Sequence, residues 1–309
     1  PMGLEVLRAG LQSTVQDQGR FGYAHLGVSA SGAADNFSLT IGNILVGNPK
    51  HYAGIEMTII GDKYHFKSDA FVALTGSEFE AELDNKSIPF WKRLPIKKGQ
   101  ILDIRSTKNG ARCYLCVAGG INIEDVMGAK TTHLTSGIGG LHGRILKNLD
   151  ELEFGPLDDL IKPIKKVNDS ITTDTKIIKV TKGAQWPWFD KNQKNKLFQH
   201  QYQVTKLSNR MGLRLIGNAI KTKKGNEITT AGISLGSIQI PGDGQPIISF
   251  VEHQTTGGYP IIANVISADV RKVGQLKAGD CFQFELISFS SAEKLKVDQE
   301  KFIHNLDHD

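Results

Sequence analysis

The sequence predicts a mainly β protein built as two β-barrel domains with a few short helices. Short runs of alternating apolar and polar residues, each broken by Gly, Asn or Asp, recur along most of the chain. The 33 glycines against 10 prolines supply the tight turns that short-stranded β architectures need. A pattern of Leu-Lys, turn, Asp and alternating strand occurs as LKNLDELEF at 146–154 and again as LKAGDCFQFELI at 276–287, with IKKGQILDI at 96–104 as a looser copy. Closing hairpins near 150 and 280, in a chain of 309 residues, suit two domains of ordinary size.

The strands expected in the first half are 4–7, 64–66, 71–74, 79–83, 101–104 and 113–117. Those expected in the second half are 177–180, 228–230, 237–240, 247–251, 261–266 and 282–287. Their even spacing favours barrels or sandwiches over a parallel α/β sheet. The best helix runs over 32–46: Ser31 is its expected N-cap, Asp35 lies in the first turn, and Phe37, Ile41, Ile44 and Leu45 share one face. Gly47 and Pro49 stop it. Shorter helical patterns occupy 192–201 and 292–305. The expected organisation is a barrel domain over 1–156, a polar linker over 157–175, a barrel domain over 176–290 and a helical tail over 291–309.

The net charge of +5 is unevenly placed, with 15 basic and 3 acidic residues between 162 and 224. Most of these are Lys rather than the forked Arg that binds phosphate or carboxylate, so they read as a solvated face. No basic run is interleaved with aromatics as in a single-strand nucleic-acid binder, and a nucleic-acid partner is not expected. No apolar stretch reads as a membrane span or signal peptide. Cys113 and Cys116 form a lone C-x-x-C in a strand, where residues three apart face opposite ways, so neither a disulfide nor a metal site is expected. Sparse cysteine fits a reducing compartment, and a cytoplasmic location is expected.

Four glycine-lined segments hold the candidate chemistry, and they are expected to gather around one small polar cleft. The first, 10–49, brings Gln16, Asp17 and Arg20 around Gly19, followed by Ser31 and Asp35 at a helix N-terminus that offers free N–H groups to an anion. The second, 128–155, carries Gly137, Gly139, Gly140 and Gly143 with His142 and Arg144 beside the last of them. It reads either as an anion cradle or as a loop needing positive φ angles, and it lacks the G-K-[ST] of a P-loop. The third, SNRMGLRLIG at 208–217, contributes Arg210. The fourth, 238–269, places Gln245, Gln254, Thr255, Thr256, Gly257, Gly258 and Tyr259 around a turn between apolar strands. Amide, hydroxyl and backbone donors in that density suit a planar polar group such as a lactam or ureido ring. No nucleophile triad is legible, since Ser31 lacks the G-x-S-x-G elbow.

GLQSTVQDQGRFGYAHLGVSASGAADNFSLTIGNILVGN, YLCVAGGI, GIGGLHGRILKNLDELEFG, SNRMGLRL, IQIPGDGQPI and HQTTGGYP, in this order, resemble the biotin-dependent carboxyltransferase family. That family includes the C subunit of 5-oxoprolinase, also called allophanate hydrolase subunit 2, and KipA-like antagonists of a kinase inhibitor. The likeness covers about residues 3–287. It implies two cyclophilin-like β-barrels and a place in an ATP-dependent 5-oxoprolinase, beside a KipI-like B subunit of related fold and a lactam-hydrolase A subunit. ATP would be used by the complex. No covalently bound cofactor is expected on this chain: it lacks Ala-Met-Lys-Met, so biotin, if used, comes on a separate chain. On motif position the catalytic residues would be Asp17, Arg20, Asp35, Arg144 and Arg210. Gln16, Ser31, Gly140, His142, Gln245, Gln254, Thr255, Thr256, Gly257, Gly258 and Tyr259 would bind the substrate. Alternatives under the same resemblance are carboxyl transfer from carboxybiotin to urea, and a non-enzymatic regulator. Three positions depart from the family pattern: Glu252-His253 replaces Asp-Arg, Lys130 replaces Arg, and LKNLD replaces LKAGD.

Overall fold

The computed structural model describes residues 2–157, 162–167 and 171–308. The rest of the expected linker, 158–161 and 168–170, lies outside the described residues. The chain forms two compact units, one of Pro1–Arg20, Ser31–Thr173 and Phe302–Asp309, the other of Phe21–Ala30 and Asp174–Lys301.

In the first unit the strands are β1 (Gly3–Arg8), β2 (Gln12–Gln16), β3 (Gly54–Thr58), β4 (Lys63–Phe66), β5 (Ala70–Gly76), β6 (Phe79–Leu83), β7 (Lys86–Ser87), β8 (Arg93–Ile96), β9 (Ile101–Thr107), β10 (Arg112–Val117) and β11 (Glu151–Glu153). They form a six-stranded sheet in the order β11-β1-β4-β9-β6-β7 and a five-stranded sheet in the order β2-β3-β10-β5-β8. One core lies between the sheets. It takes Leu4, Tyr64, Phe66, Leu102 and Ile104 from the first and Val15, Ile55, Met57, Leu74, Leu115 and Val117 from the second. Helix α1 (Asn36–Val46) covers the other face of the five-stranded sheet, where Leu39, Ile41 and Leu45 meet Ala73, Tyr114 and Cys116.

Strand β10 is buried on both faces, which explains its near-continuous apolar run. Cys113 belongs to the inter-sheet core and Cys116 to the helix-facing layer, as the period of two requires. Both are free thiols, and burial pushes both thiols up from their ordinary range. Cys281 is also free but exposed. A thiol-specific reagent is therefore expected to modify one cysteine in the folded protein and all three after unfolding in denaturant.

Helix α1 begins later than the sequence suggests. Ser31 and Gly32 have φ of 54° and 88°, which a right-handed helix cannot accept. The cap is Asp35, whose carboxylate accepts from Ser38 N at 3.0 Å and Ser38 Oγ at 2.6 Å.

The second unit is a closed barrel of β12 (Ile177–Lys182), β13 (Tyr202–Val204), β14 (Gly212–Ile216), β16 (Ser237–Gln239), β17 (Ile247–Ser249), β19 (Ile261–Val265) and β20 (Cys281–Leu286), in the order β12-β19-β16-β17-β14-β13-β20. β15 (Ala231–Gly232) and β18 (Thr256–Gly257) form a separate two-stranded ribbon. The barrel closes through parallel pairing of β12 with β20. Leu213 and Leu215 are buried while Arg214 and Ile216 are exposed, the alternation of a wall with one face inward. Phe282 and Phe284 meet edge to face at 4.9 Å. The helices are α2 (Lys191–Gln199), capped by Asp190, α3 (Val270–Val273) and α4 (Phe289–His308). Residues 228–230, expected as a strand, are not one; regular pairing begins only at Ala231. Lys194 and Lys224 rest over the rings of Trp186 and Trp188, which fits the reading of the lysine-rich region as a solvated face.

Candidate functional site

The four glycine-lined segments gather in two pairs, one within each unit. In the first unit, 12–20 and 31–35 are tied to 126–143 by side chains that bond backbone. Asp17 accepts from Gly19 N at 2.9 Å and from Lys130 N at 2.8 Å. Arg20, 1% exposed, donates to the carbonyls of Val126, Ala129 and Thr131 at 2.7, 3.2 and 3.0 Å. Gln16 is fully buried, donates to Thr132 O at 3.1 Å and accepts from Thr131 Oγ1. Ser31 Oγ donates to Thr132 O at 2.8 Å.

These bonds hold two loops in register. Asp17 and Arg20, expected in catalysis, and Gln16 and Ser31, expected in substrate binding, each have this structural part. Buried loop carbonyls need donors, and the planar guanidinium of Arg20 supplies several at once. Asp35, fully buried, spends both oxygens on the helix cap. Beneath it, Glu56 accepts from Ala34 N at 2.8 Å and from Tyr114 Oη at 2.7 Å, and burial raises the Tyr114 hydroxyl well above its ordinary range, with Glu56 adding to the effect.

The 137–143 glycines serve conformation. Gly137, Gly139, Gly140 and Gly143 all have positive φ, as does the exposed His142 at 59°. A Cβ at Gly140 would collide with Thr132 Oγ1. Arg144, expected in catalysis, forks onto Asp150 at 2.7 and 2.9 Å and so clamps this loop.

That clamp has a pH signature. The Arg144 guanidinium, hydrogen-bonded to Asp150, holds its carboxyl below the usual carboxylate range. A depressed folded pKa contributes stability that is complete above the unfolded value of about 3.9 and is lost as pH falls through the folded value. Asp150→Asn is expected to cost about 1 kcal/mol at pH 7, modest because the pair is partly open to solvent. The difference from wild type should shrink toward zero in melts as pH falls through the lowered folded value.

In the second unit, the third and fourth segments meet along β14, β17 and β16. Arg210, 3% exposed in its side chain, pairs at 2.6 Å with Glu252, 1% exposed. The position expected to be catalytic is thus an internal ion pair, and the Glu252 departure is matched by it. His253 Nδ1 lies 2.8 Å from Gln254 O. Gln245, expected in substrate binding, exchanges two hydrogen bonds with the backbone of Gly217, at 2.9 and 3.2 Å, and so pins a turn.

Gln254 and Tyr259 do line open space. A hollow of about 170 Å³ is bounded by Asn209, Arg214, Ile233, Gln239, Ile247, Ser249, Gln254 and Tyr259 among others. A second, of about 400 Å³, is bounded by Glu227, Ile228, Gln239, Gln254, Gly257, Gly258 and Tyr259. Gln239, Gln254 and Tyr259 border both, so the two hollows adjoin as a polar cleft on the outside of the barrel.

The ribbon roofs this cleft. Ala231 pairs with Gly257 and Gly232 with Thr256, while Ile228 N and Ile233 N donate to the carbonyls of Gly258 and Thr255 at 2.7 and 3.0 Å. The Ile233 side chain occupies the space a Cβ at Gly257 would need, so only glycine allows this closeness. Thr255 and Thr256 hold the ribbon through backbone, and neither borders the cleft. Sequence reasoning missed Arg214 and Gln239. The first sits four residues from Arg210 in the same motif, and the second stands as a polar residue between the buried Ile238 and Ile240.

Among the described residues no cluster of His, Cys, Asp and Glu could hold a metal, and no helix is long and apolar enough to cross a membrane.

The family described as carboxyltransferase domain, subdomain A and B, matches residues 26–286. The chain is 37% identical over 303 residues to the C subunit of 5-oxoprolinase from Escherichia coli strain K12, covering 98% of this chain and 97% of that one. It is 33% identical over the same length to the C subunit of 5-oxoprolinase from Haemophilus influenzae, with the same coverage. The solved structure of K. lactis urea amidolyase superposes with a TM-score of 0.94 at 31% identity, over 99% of this chain but only 20% of that one. The chain therefore spans nearly the whole of the first two relatives and about a fifth of the third.

Proposed function

The chain belongs to the carboxyltransferase-domain family, subdomains A and B, and on that premise we propose that it is the C subunit of an ATP-dependent 5-oxoprolinase, converting 5-oxoproline to L-glutamate with partner subunits. The observation that carries this reading is likeness: the chain is 37% and 33% identical to two 5-oxoprolinase C subunits, against 31% to the K. lactis urea amidolyase. The expected partners are a KipI-like B subunit of related fold and a lactam-hydrolase A subunit, with ATP consumed by the complex.

A lactam is resonance-stabilised, so its carbonyl carbon must be made more electrophilic before water can attack. Phosphoryl transfer from ATP to the lactam oxygen does this. Water then adds to that carbon, the ring C–N bond breaks with the nitrogen taking up a proton, and a second water releases phosphate from the acyl phosphate. The cleft of the second unit supplies what binding a flat amide requires: side-chain amides at Gln239 and Gln254, the Tyr259 hydroxyl and an apolar floor at Ile247. Carboxyl transfer to urea with biotin on a separate chain is the alternative, favoured by the likeness to urea amidolyase.

The deciding experiment purifies the chain with the subunits encoded beside it and measures glutamate formed from 5-oxoproline and ATP. Stoichiometric glutamate supports the proposal. Absence of glutamate, with biotin-dependent carboxylation of urea in its place, rejects it.

A further inference from the structure

We propose that Gln239 and Arg214 form a recognition pair for a small cyclic amide bearing a carboxylate, bound on the outer wall of the second unit's barrel. The identity of that ligand as 5-oxoproline rests on the function proposed above; the class of ligand rests on the site.

Gln239 is 8% exposed, yet among the described residues its side-chain amide has no hydrogen-bond partner. The amide atoms are not among the fully buried polar atoms and face the open space of the cleft, where water or a ligand can complete their hydrogen bonds. The amide borders both hollows of the cleft, and its Nε2 would lie 2.9 Å from a Cβ placed at Gly257, so it is aimed under the ribbon. A primary carboxamide offers N–H and C=O side by side in one plane. A lactam is locked in the cis form and presents its own N–H and C=O along one edge, so the two can join through a pair of hydrogen bonds. An open-chain peptide is trans and puts those groups on opposite edges, so it cannot make that pair.

Arg214 stands in the same row across the sheet. It lies opposite Ile247, and Ile247 lies opposite Gln239. Two strand spacings separate the two backbones by roughly 9–10 Å. That span fits a five-membered ring over Ile247 together with an arginine side chain reaching toward its carboxylate. Among the described residues the Arg214 guanidinium has no acidic partner, in contrast to Arg210 and Arg144, which are both paired. An unpaired guanidinium is suited to a forked carboxylate contact. Urea has the amide edge but no carboxylate, so it would engage Gln239 alone.

The test is titration calorimetry of the full chain with 5-oxoproline, 2-pyrrolidinone (the same lactam without the carboxylate) and urea. The variants are Gln239→Met and Arg214→Met, each first shown by circular dichroism to melt as wild type does; Gln239→Glu and Arg214→Gln replace any that does not. Wild type is expected to bind 5-oxoproline more tightly than either other compound. Gln239→Met should weaken both lactams about tenfold or more. Arg214→Met should weaken 5-oxoproline by about as much and leave 2-pyrrolidinone unchanged. Folded variants that bind as wild type does, or a wild-type chain that binds neither lactam, would overturn the pair. A reconstituted complex that makes no glutamate, while the chain still shows this ligand dependence, would instead remove the oxoprolinase reading and leave the pair standing.

Discussion

Replacing Arg210 with alanine is expected to destabilise the second unit by about 3–5 kcal/mol, the cost of leaving a buried charge without its partner. The residue removed is the donor to Glu252, and the two side chains are 3% and 1% exposed. Their backbones are joined as well, through Glu252 N to Arg210 O at 2.8 Å, so the pair fixes how the segment before β14 meets the end of β17. Unfolding in urea, followed by the emission of Trp186 and Trp188 in a Trp91→Phe background, reports on this unit. Glu252→Ala should cost a similar amount, and the double variant much less than the two single losses together. If Arg210 contacted substrate instead, its loss would abolish activity and leave the urea midpoint in place.

Arg20→Ala is expected to destabilise the first unit by about 3–5 kcal/mol, since three loop carbonyls lose a donor, Val126 and Ala129 keeping only the bonds between themselves, and a large buried side chain leaves a void. Those carbonyls, on Val126, Ala129 and Thr131, lie in the loop that Asp17 also holds through Lys130 N. Arg20→Lys should recover little, because one ammonium cannot satisfy acceptors spread along a loop. Limited proteolysis gives a second readout, with cleavage after Lys130 expected to rise in both variants. Unchanged stability and protection would restore the anion-binding role that the motif suggested.

Much of the architecture was legible in the sequence because β alternation and turn residues are local signals. Leu213 and Leu215 inward with Arg214 outward, or Cys113 and Cys116 on opposite faces, follow from the period of two. The candidate site was less legible because its chemistry depends on which partner each polar group finds far along the chain. Arg210 and Arg214 are equivalent as letters, and only the fold seats one against Glu252 and leaves the other at a cleft. Gln239 looks like an outward residue of an ordinary strand, and it becomes buried only because the ribbon at 231–232 folds over that face. Ser31 and Asp35 are both good caps, and the positive φ at Ser31 and Gly32, invisible in composition, decides between them. Tyr259 and Gln254 stand out in the sequence because several amide and hydroxyl groups in one turn exceed what a turn needs.

The parallel pairing of Ile177–Lys182 with Cys281–Leu286 has a consequence for biosynthesis. The first stave of the hoop leaves the ribosome about a hundred residues before the last, an interval of roughly 5–20 s at ordinary translation rates. Throughout it the nascent segment carries two raw sheet borders able to template on a neighbouring chain. Yield in cells should therefore depend on chaperone supply during that window, and a chain halted before Cys281 would be recovered as aggregate.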